Sequence, residues 1–493
     1  MNSVNIALGK KVLRGSILQF SSRFLFRGLK FIRTIVVAKL LFPEDVGLFA
    51  LASLCLGFVD TFIQPGFQNA LVQRSEITKE HLNGVWTLNV IRGVVLGGLF
   101  FLSAPLIASF FDEPRLIAVV QVLSLIKVFD GFSNIGTVLF QRDMEFGKKL
   151  LYELSYNLTE IIAVCVAVLF IPNVWALVIG NLAYYVAVLI LSYVFHTYRP
   201  SFTLDFTAVR ELFNFGKWLW LGSILTFFVS SGDYFFVGKF IGTETLGYYQ
   251  LAFSLALLPA FEIARSLSSV FFPLFSKLKD SRSRLIDAFV RISRIMLLVI
   301  FPLSIGLYVL KDPVVRLLYG ERWLPMLPIM GPLILYGVVK TIEYLLTPIL
   351  MGAGHSKITT LTTATQGAVM LVTIFPLVNL FGVQGVPYSL LFSVVISTII
   401  MGIVFLRTFR INYKTIVSLG VVPVSTSLGL CGAIYGFSLV FPIHNPTAFV
   451  GVTFYAVVVY TALVFVCDHF TGKSVRESMV WMRTNVLKKN GNG

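Results

Sequence analysis

Apolar runs of roughly 20 residues follow one another along nearly the whole of this 493-residue chain. A run of that length cannot leave its backbone polar groups unpaired in hydrocarbon, so each reads as a helix crossing a bilayer. Taking charged or Pro/Gly-containing breaks as boundaries, the sequence predicts fourteen spans. They lie near 16–41, 47–71, 84–110, 116–139, 151–171, 174–195, 217–241, 246–275, 288–310, 325–350, 358–379, 384–406, 415–441 and 446–467. Only 13% of the residues are charged, against about a quarter in ordinary globular proteins. The long polar stretches, near 197–217 and at the C-terminus, leave little room for a water-soluble domain. The first apolar segment follows Lys10, Lys11 and Arg14 but is too long and too charged for the core of a cleaved signal.

Loop charge orients the spans. With the N-terminus in the cytoplasm, 24 of the 40 Lys and Arg fall in cytoplasmic segments, and four (Arg115, Lys311, Arg316, Arg322) fall in the opposite loops. That asymmetry supports an even number of spans with both termini cytoplasmic. It also accounts for much of the +16 net charge, so the basicity does not point to nucleic acid.

The segment VAKLLFPEDVGLFALA (37–52) returns 200 residues later as VGKFIGTETLGYYQLA (237–252). Val37, Lys39, Glu44, Gly47, Leu51 and Ala52 recur as Val237, Lys239, Glu244, Gly247, Leu251 and Ala252. Six spans separate the first helix from its copy, and an even number preserves direction, so the halves are expected to be parallel repeats about an axis along the membrane normal. The fold expected is therefore an all-α integral membrane protein of about 14 transmembrane helices. It comprises a six-helix lobe (1–196), a cytoplasmic linker (197–216), a second six-helix lobe (217–410), two additional helices (411–468) and a basic cytoplasmic tail (469–493).

Against this apolar background the stretch SSRFLFRGLKFIRTIVVAK (21–39) carries Arg23, Arg27, Lys30 and Arg33. At about 100° per residue all four fit an arc of about 120°, one face of the first helix. Arg27 and Lys30 fall near mid-span, too deep for both to reach the surface along their aliphatic stems. Each central charge facing lipid would cost about 2.5–3.5 kcal/mol, so the face must meet water, counter-charges or an anionic ligand. Acids able to neutralise it lie in other spans: Asp60, Asp130, Glu160, Asp233, Glu262 and Glu343. Against them stand Arg92, Lys127, Arg265 and Lys340 in addition to the four stripe cations, an excess of positive charge. Two readings stand open: an anion-binding chamber, with Arg23, Arg27, Lys30, Arg33, Arg92 and Arg265 as its ligands, or a structural network of ion pairs. Asp60, Asp233 and Glu262 are the candidate gating or charge-pairing acids. By the 200-residue offset Arg33 corresponds to Asp233, and opposite charges at equivalent positions could pair across the repeat axis. From Ile358 to Leu406 there is no charged residue, so charge chemistry is expected to stop at the tenth span.

Several chemistries lack their residues. There is no GxxxxGK[ST] loop for ATP hydrolysis and no HExxH or Cys/His cluster for a metal. Cys55, Cys165, Cys431 and Cys467 sit singly in apolar spans, where packing is their expected role. The five histidines lie in loops or at span ends, away from any intramembrane proton relay. No catalytic residues, metal or cofactor are expected.

The stretches LLFPEDVGLFALA (40–52), QRSEIT (73–78), FQRDMEFGK (140–148), FPLFSKLKD (272–280) and YGERW (319–323) give the chain a further character. Through nearly its whole length it resembles the polysaccharide flippases, of O-antigen and colanic-acid type, of the multidrug/oligosaccharidyl-lipid/polysaccharide exporter superfamily. The resemblance implies two six-helix lobes around a cationic cavity, in a bacterial cytoplasmic (inner) membrane. It implies a substrate built as an oligosaccharide on polyprenyl pyrophosphate, moved to the outer leaflet by alternating access, sometimes coupled to a proton or sodium gradient. Polysaccharide polymerase and glycosyltransferases are the implied partners. The alternatives are a cation-coupled multidrug exporter of the same superfamily, whose site would favour acids and aromatics, and a non-transporting scaffold of a glycan-assembly complex, which gains nothing from mid-membrane cations.

Overall fold

The computed structural model describes residues 25–63, 77–143, 145–203, 207–260, 264, 271, 274–276, 278, 281–440, 446–470 and 474–482. Among these there is no strand, and a helix stands at each of the fourteen expected spans. Among the described residues eight helical stretches are long and apolar enough to cross a membrane, nine if one bent pair is joined; one of the eight, Ser356–Phe409, runs through two of the helices named below. The chain divides into two compact units, residues 1–250 and 251–493.

The first unit holds α1 (25–40), α2 (Pro43–Ile63), α3 (Lys79–Phe111), α4 (Leu116–Phe132), α5 (Phe146–Phe170), α6 (Val174–Phe195) and α7 (Thr207–Phe240), and reaches into α8 (Thr243–Ala256). α3 pairs with α4, α5 with α6, and α7 lies against α2 and α3. α3 begins with a capping box: the Thr78 side chain accepts the His81 N–H, and the His81 ring returns to the Thr78 backbone. It ends in a Schellman turn, with Glu113 N–H on the Ala108 carbonyl (3.0 Å) and Asp112 in the left-handed region at φ 55°. The fourth span is shorter than expected. α4 stops at Phe132 and the chain bends by 71° into a short helical segment, Ile135–Arg142. The cause is local: the Ser133 hydroxyl bonds the Asp130 carbonyl (2.6 Å) and Asn134 Oδ1 accepts Gly136 N–H (2.9 Å), each competing with the helical ladder. α7 in turn starts at Thr207, within the stretch read as a linker.

Hydrogen bonds mark the two ends of this unit. At one, Tyr198 and Ser201 reach Asn83, and a small core of Leu82, Val85, Trp86, Val90 and Ile135 sits beneath them. At the other, Asp45 accepts Val174 N–H (3.1 Å), and the starts of α2 and α8 cross at Gly47 and Gly247. A Cβ on Gly47 would overlap the Thr243 carbonyl, and one on Gly247 would overlap the Pro43 carbonyl. Residues 43 and 47 thus meet 243 and 247 reciprocally, which is what a two-fold relation between the repeats demands.

The second unit contains α9 (Arg282–Leu318), α10 (Leu327–Gly352), α11 (Ser356–Phe381), α12 (Gly385–Phe409), α13 (Tyr413–Val440), α14 (Pro446–Phe470) and the short α15 (Ser474–Met482). Its core packs Phe275, Phe289, Met296, Leu346, Ile349, Met401 and Phe405. Pro302 within α9 has no N–H for the Leu298 carbonyl, and the Tyr460 hydroxyl of α14 donates to that oxygen instead. α15 lies in the stretch read as a tail. Asp468 caps it by accepting Val475 N–H (2.7 Å), and its Ser478 hydroxyl is bonded to Arg294 of α9 (3.2 Å).

Candidate functional site

The cationic face of α1 finds a counter-charge four helices along the chain. Arg33 donates to Glu160 Oε1 of α5, and Lys30 lies 3.5 Å from Glu160 Oε2. Glu160 is buried, with 9% of its side chain exposed, while Lys30 keeps 41% and Arg33 23%. One carboxylate therefore serves two cations. Arg33 Nε is buried without a hydrogen-bond partner among the described residues. Arg27, one turn before Lys30, is exposed. Arg23 lies outside the described residues.

A second charged group stands where α3 and α4 approach most closely. Gly93 and Gly131 make the approach: a Cβ on Gly93 would overlap the Lys127 carbonyl, and one on Gly131 would stand 2.5 Å from the Asn89 carbonyl. Their chain neighbours Arg92 and Asp130 are thereby brought together with Lys127. Lys127, almost fully buried, pairs with Asp60 of α2. Arg92 is half-buried within electrostatic range of Asp130 and Asp60. Here cations and acids match in number.

Arg33 and Asp233 take different partners. Arg33 is engaged by Glu160, and Asp233, fully buried on α7, accepts the Tyr249 hydroxyl at 2.5 Å. The repeat offset aligns the two positions, but α5 presents a carboxylate to α1 directly, which the offset does not reveal. Arg265 and Glu262 lie outside the described residues.

The second unit has its own polar cluster, which reaches from the charged tenth span into the two helices expected to be neutral. Lys340 of α10 donates to Glu343 Oε2 (2.5 Å) and to Gln366 of α11 (2.9 Å). Glu343 Oε1 accepts from Ser397 and from Thr398 (3.4 Å) of α12. Uncharged side chains thus extend the charge chemistry past the tenth span. A scan for charge misses them, although Ser389, Ser393 and Ser397, all fully buried, repeat every four residues along one face of α12 and are visible as a polar stripe. Among the described residues no group of three or more His, Cys, Asp or Glu could hold a metal ion.

Comparison with known proteins places this architecture. A family model described as "Polysaccharide biosynthesis protein" matches residues 36–328. The chain is 26% identical over 303 residues to the teichuronic acid biosynthesis protein TuaB of Bacillus subtilis, covering 61% of this chain and 63% of TuaB, so the match spans less than two thirds of that relative. It is 25% identical over 355 residues to the lipopolysaccharide biosynthesis protein WzxC of Escherichia coli, covering 72% of each. Among solved structures it is similar to the lipid II flippase MurJ in an inward closed conformation, with a TM-score of 0.71 at 17% identity over 92% of this chain and 99% of that one. The all-helical fold is of the kind MurJ has, and with more than half its length matched the chain belongs to the polysaccharide biosynthesis protein family.

Proposed function

We propose that this protein is a flippase that moves an oligosaccharide linked to a polyprenyl pyrophosphate across the membrane during cell-surface polysaccharide synthesis, and not an enzyme. The observation that carries this reading is the sharing of Glu160 by Lys30 and Arg33. A structural network would match its charges, as Lys127 and Asp60 do; among the described residues one carboxylate shared by Lys30 and Arg33 leaves a surplus of one positive charge on this face. A pyrophosphate supplies the missing negative charge through charge-assisted hydrogen bonds to Arg and Lys. Family membership and the relatives' names, WzxC and TuaB for polysaccharide synthesis and MurJ for a lipid-linked substrate, support the same substrate class. A drug exporter or a scaffold would have no use for this surplus.

The host membrane in this reading is the bacterial cytoplasmic one with both termini inside, an orientation that the Lys and Arg distribution supports. In this reading the glycosyltransferases of the same polysaccharide act before the transfer and the polymerase after it. Reconstitution in vesicles with a lipid-linked oligosaccharide tests it. Arg27→Ala with Lys30→Ala should abolish flipping while the protein still folds; unchanged flipping overturns the role of the stripe.

A further inference from the structure

One end of the first unit is tied together by side chains from both repeats. Arg115 reaches Glu44 (3.2 Å) and Glu113 (2.8 Å), all three in the first repeat. From the second, Lys239 at the end of α7 meets Asp112 (2.7 Å), and Thr243 at the start of α8 meets Glu113 (3.3 Å). The Schellman turn after α3 aims Asp112 and Glu113 at this junction, and the Gly47–Gly247 crossing lies within it.

We propose that this ionic clasp, closed around the glycine crossing, is the seal of the non-cytoplasmic face, and that the repeats part here when the substrate path opens to that side. The reading above supplies what passes through; the movement itself rests on the geometry of the joint. Three features suit a joint that must open and close. Each pair has at least one partner open to water, with 78% of the Asp112 side chain, 51% of Arg115 and 53% of Glu44 accessible against 24% of Lys239 and 13% of Glu113, so water can replace the contact from one side. At the crossing itself backbone meets backbone: the atoms that a Cβ on Gly47 or Gly247 would meet first all belong to the main chain. The neighbouring loops are poor in Lys and Arg, which puts this end away from the cytoplasm.

The test is a reporter thiol at Leu246→Cys, a fully buried position beside the crossing, in a chain whose Cys55, Cys165, Cys431 and Cys467 are changed to serine. A membrane-impermeant maleimide added to intact cells should label it slowly in the otherwise unaltered protein. Asp112→Asn keeps a residue tolerant of the left-handed conformation and removes the charge; Lys239→Gln removes its partner. Each should speed labelling about two- to fivefold, and the double variant no further than either alone. Gly47→Ala should speed it more, because the added methyl overlaps the Thr243 carbonyl; where that variant fails to fold, the charge variants carry the test. Equal labelling rates in the parent and both charge variants overturn the clasp, as does labelling found only in inverted vesicles. Labelling needs no substrate, so faster labelling without any flipping of lipid-linked oligosaccharide would leave the clasp standing and remove the flippase reading.

Discussion

The two units each hold lysine and glutamate at membrane depth, and they treat them differently. In the second unit Lys340 and Glu343 face one another at a ratio of one to one, with Gln366 as a second acceptor for the lysine and Ser397 and Thr398 as donors to the carboxylate. In the first unit Glu160 divides itself between Lys30 and Arg33, the lysine remains 41% exposed, and an arginine nitrogen goes unpartnered. A saturated network holds helices together and has nothing left for a ligand. An undersaturated one is a worse structural device and a better receptor for an anion. The difference between the units thus lies in stoichiometry, and removing single members separates the two roles.

The largest effect is expected at Glu343. Glu343→Ala strands Lys340, only 18% of whose side chain is exposed, and loss of one partner from a buried pair costs about 3–5 kcal/mol. The detergent-solubilised variant should unfold at a clearly lower temperature, or fail to accumulate, with no direct effect on anion affinity. If its stability matches the parent, the second cluster is not the structural network described here.

Glu160→Gln should do the reverse. It frees two cations that already have access to water, so the stability loss is smaller, about 1.5–3 kcal/mol for charge-assisted bonds. Affinity for inorganic pyrophosphate should rise and become more dependent on salt, while flipping slows because release is impaired. Titration calorimetry at two ionic strengths checks this. Weakened pyrophosphate binding in Glu160→Gln would mean that the carboxylate orders the cations for the ligand instead of competing with it.

Much of this was legible in the chain. Apolar length located a helix at each expected span, because hydrocarbon leaves the backbone no alternative, but not the short α15 beyond them. Helical periodicity placed Lys30 and Arg33 on one face, and the cost of bare charge in lipid called for water, a counter-charge or an anionic ligand, of which Glu160 supplies a counter-charge. What stayed hidden depended on tertiary approach. Nothing in one dimension says which of six acids reaches α1, so the offset pairing of Arg33 with Asp233 looked as reasonable as the contact that forms. The break after Phe132 was written in Ser133 and Asn134, yet an apolar run masks such polar residues. Gln366 and Ser397 escape a scan for charge because they carry none, although Ser397 belongs to a serine stripe with a helical period and both complete a charged network.

A smaller effect separates ionic from neutral members of the saturated cluster. Gln366→Leu removes one uncharged acceptor from Lys340 and leaves Glu343 in place, so the loss should be about 1 kcal/mol, the net worth of an ordinary hydrogen bond. Thermal unfolding beside Glu343→Ala measures the ratio. A loss as large as that of Glu343→Ala would mean that Gln366 orients the lysine and that the cluster cannot be divided into a charged core and a neutral rim.

The smallest effect is expected at the membrane-external joint, at a carboxyl whose partner is open to water. Glu113, between α3 and α4, has its carboxyl held below the ordinary range, first by the hydrogen bond from Arg115, with burial opposing and the Arg115 charge and the Thr243 hydroxyl adding to it. A carboxyl whose folded pKa is depressed contributes stability that is fully present above its unfolded value, about 4.3, and lost only as pH falls through the folded one. Between pH 8 and pH 5 this group therefore stays charged in both states and contributes no pH dependence. Labelling of the Leu246→Cys reporter should be flat across that range and quicken only in stronger acid, and Glu113→Gln should remove whatever part of the acid response it causes. A rise in labelling already between pH 7 and pH 5, retained in Glu113→Gln, would assign the sensitivity to a different group and place pH control of the joint outside the Arg115 cluster.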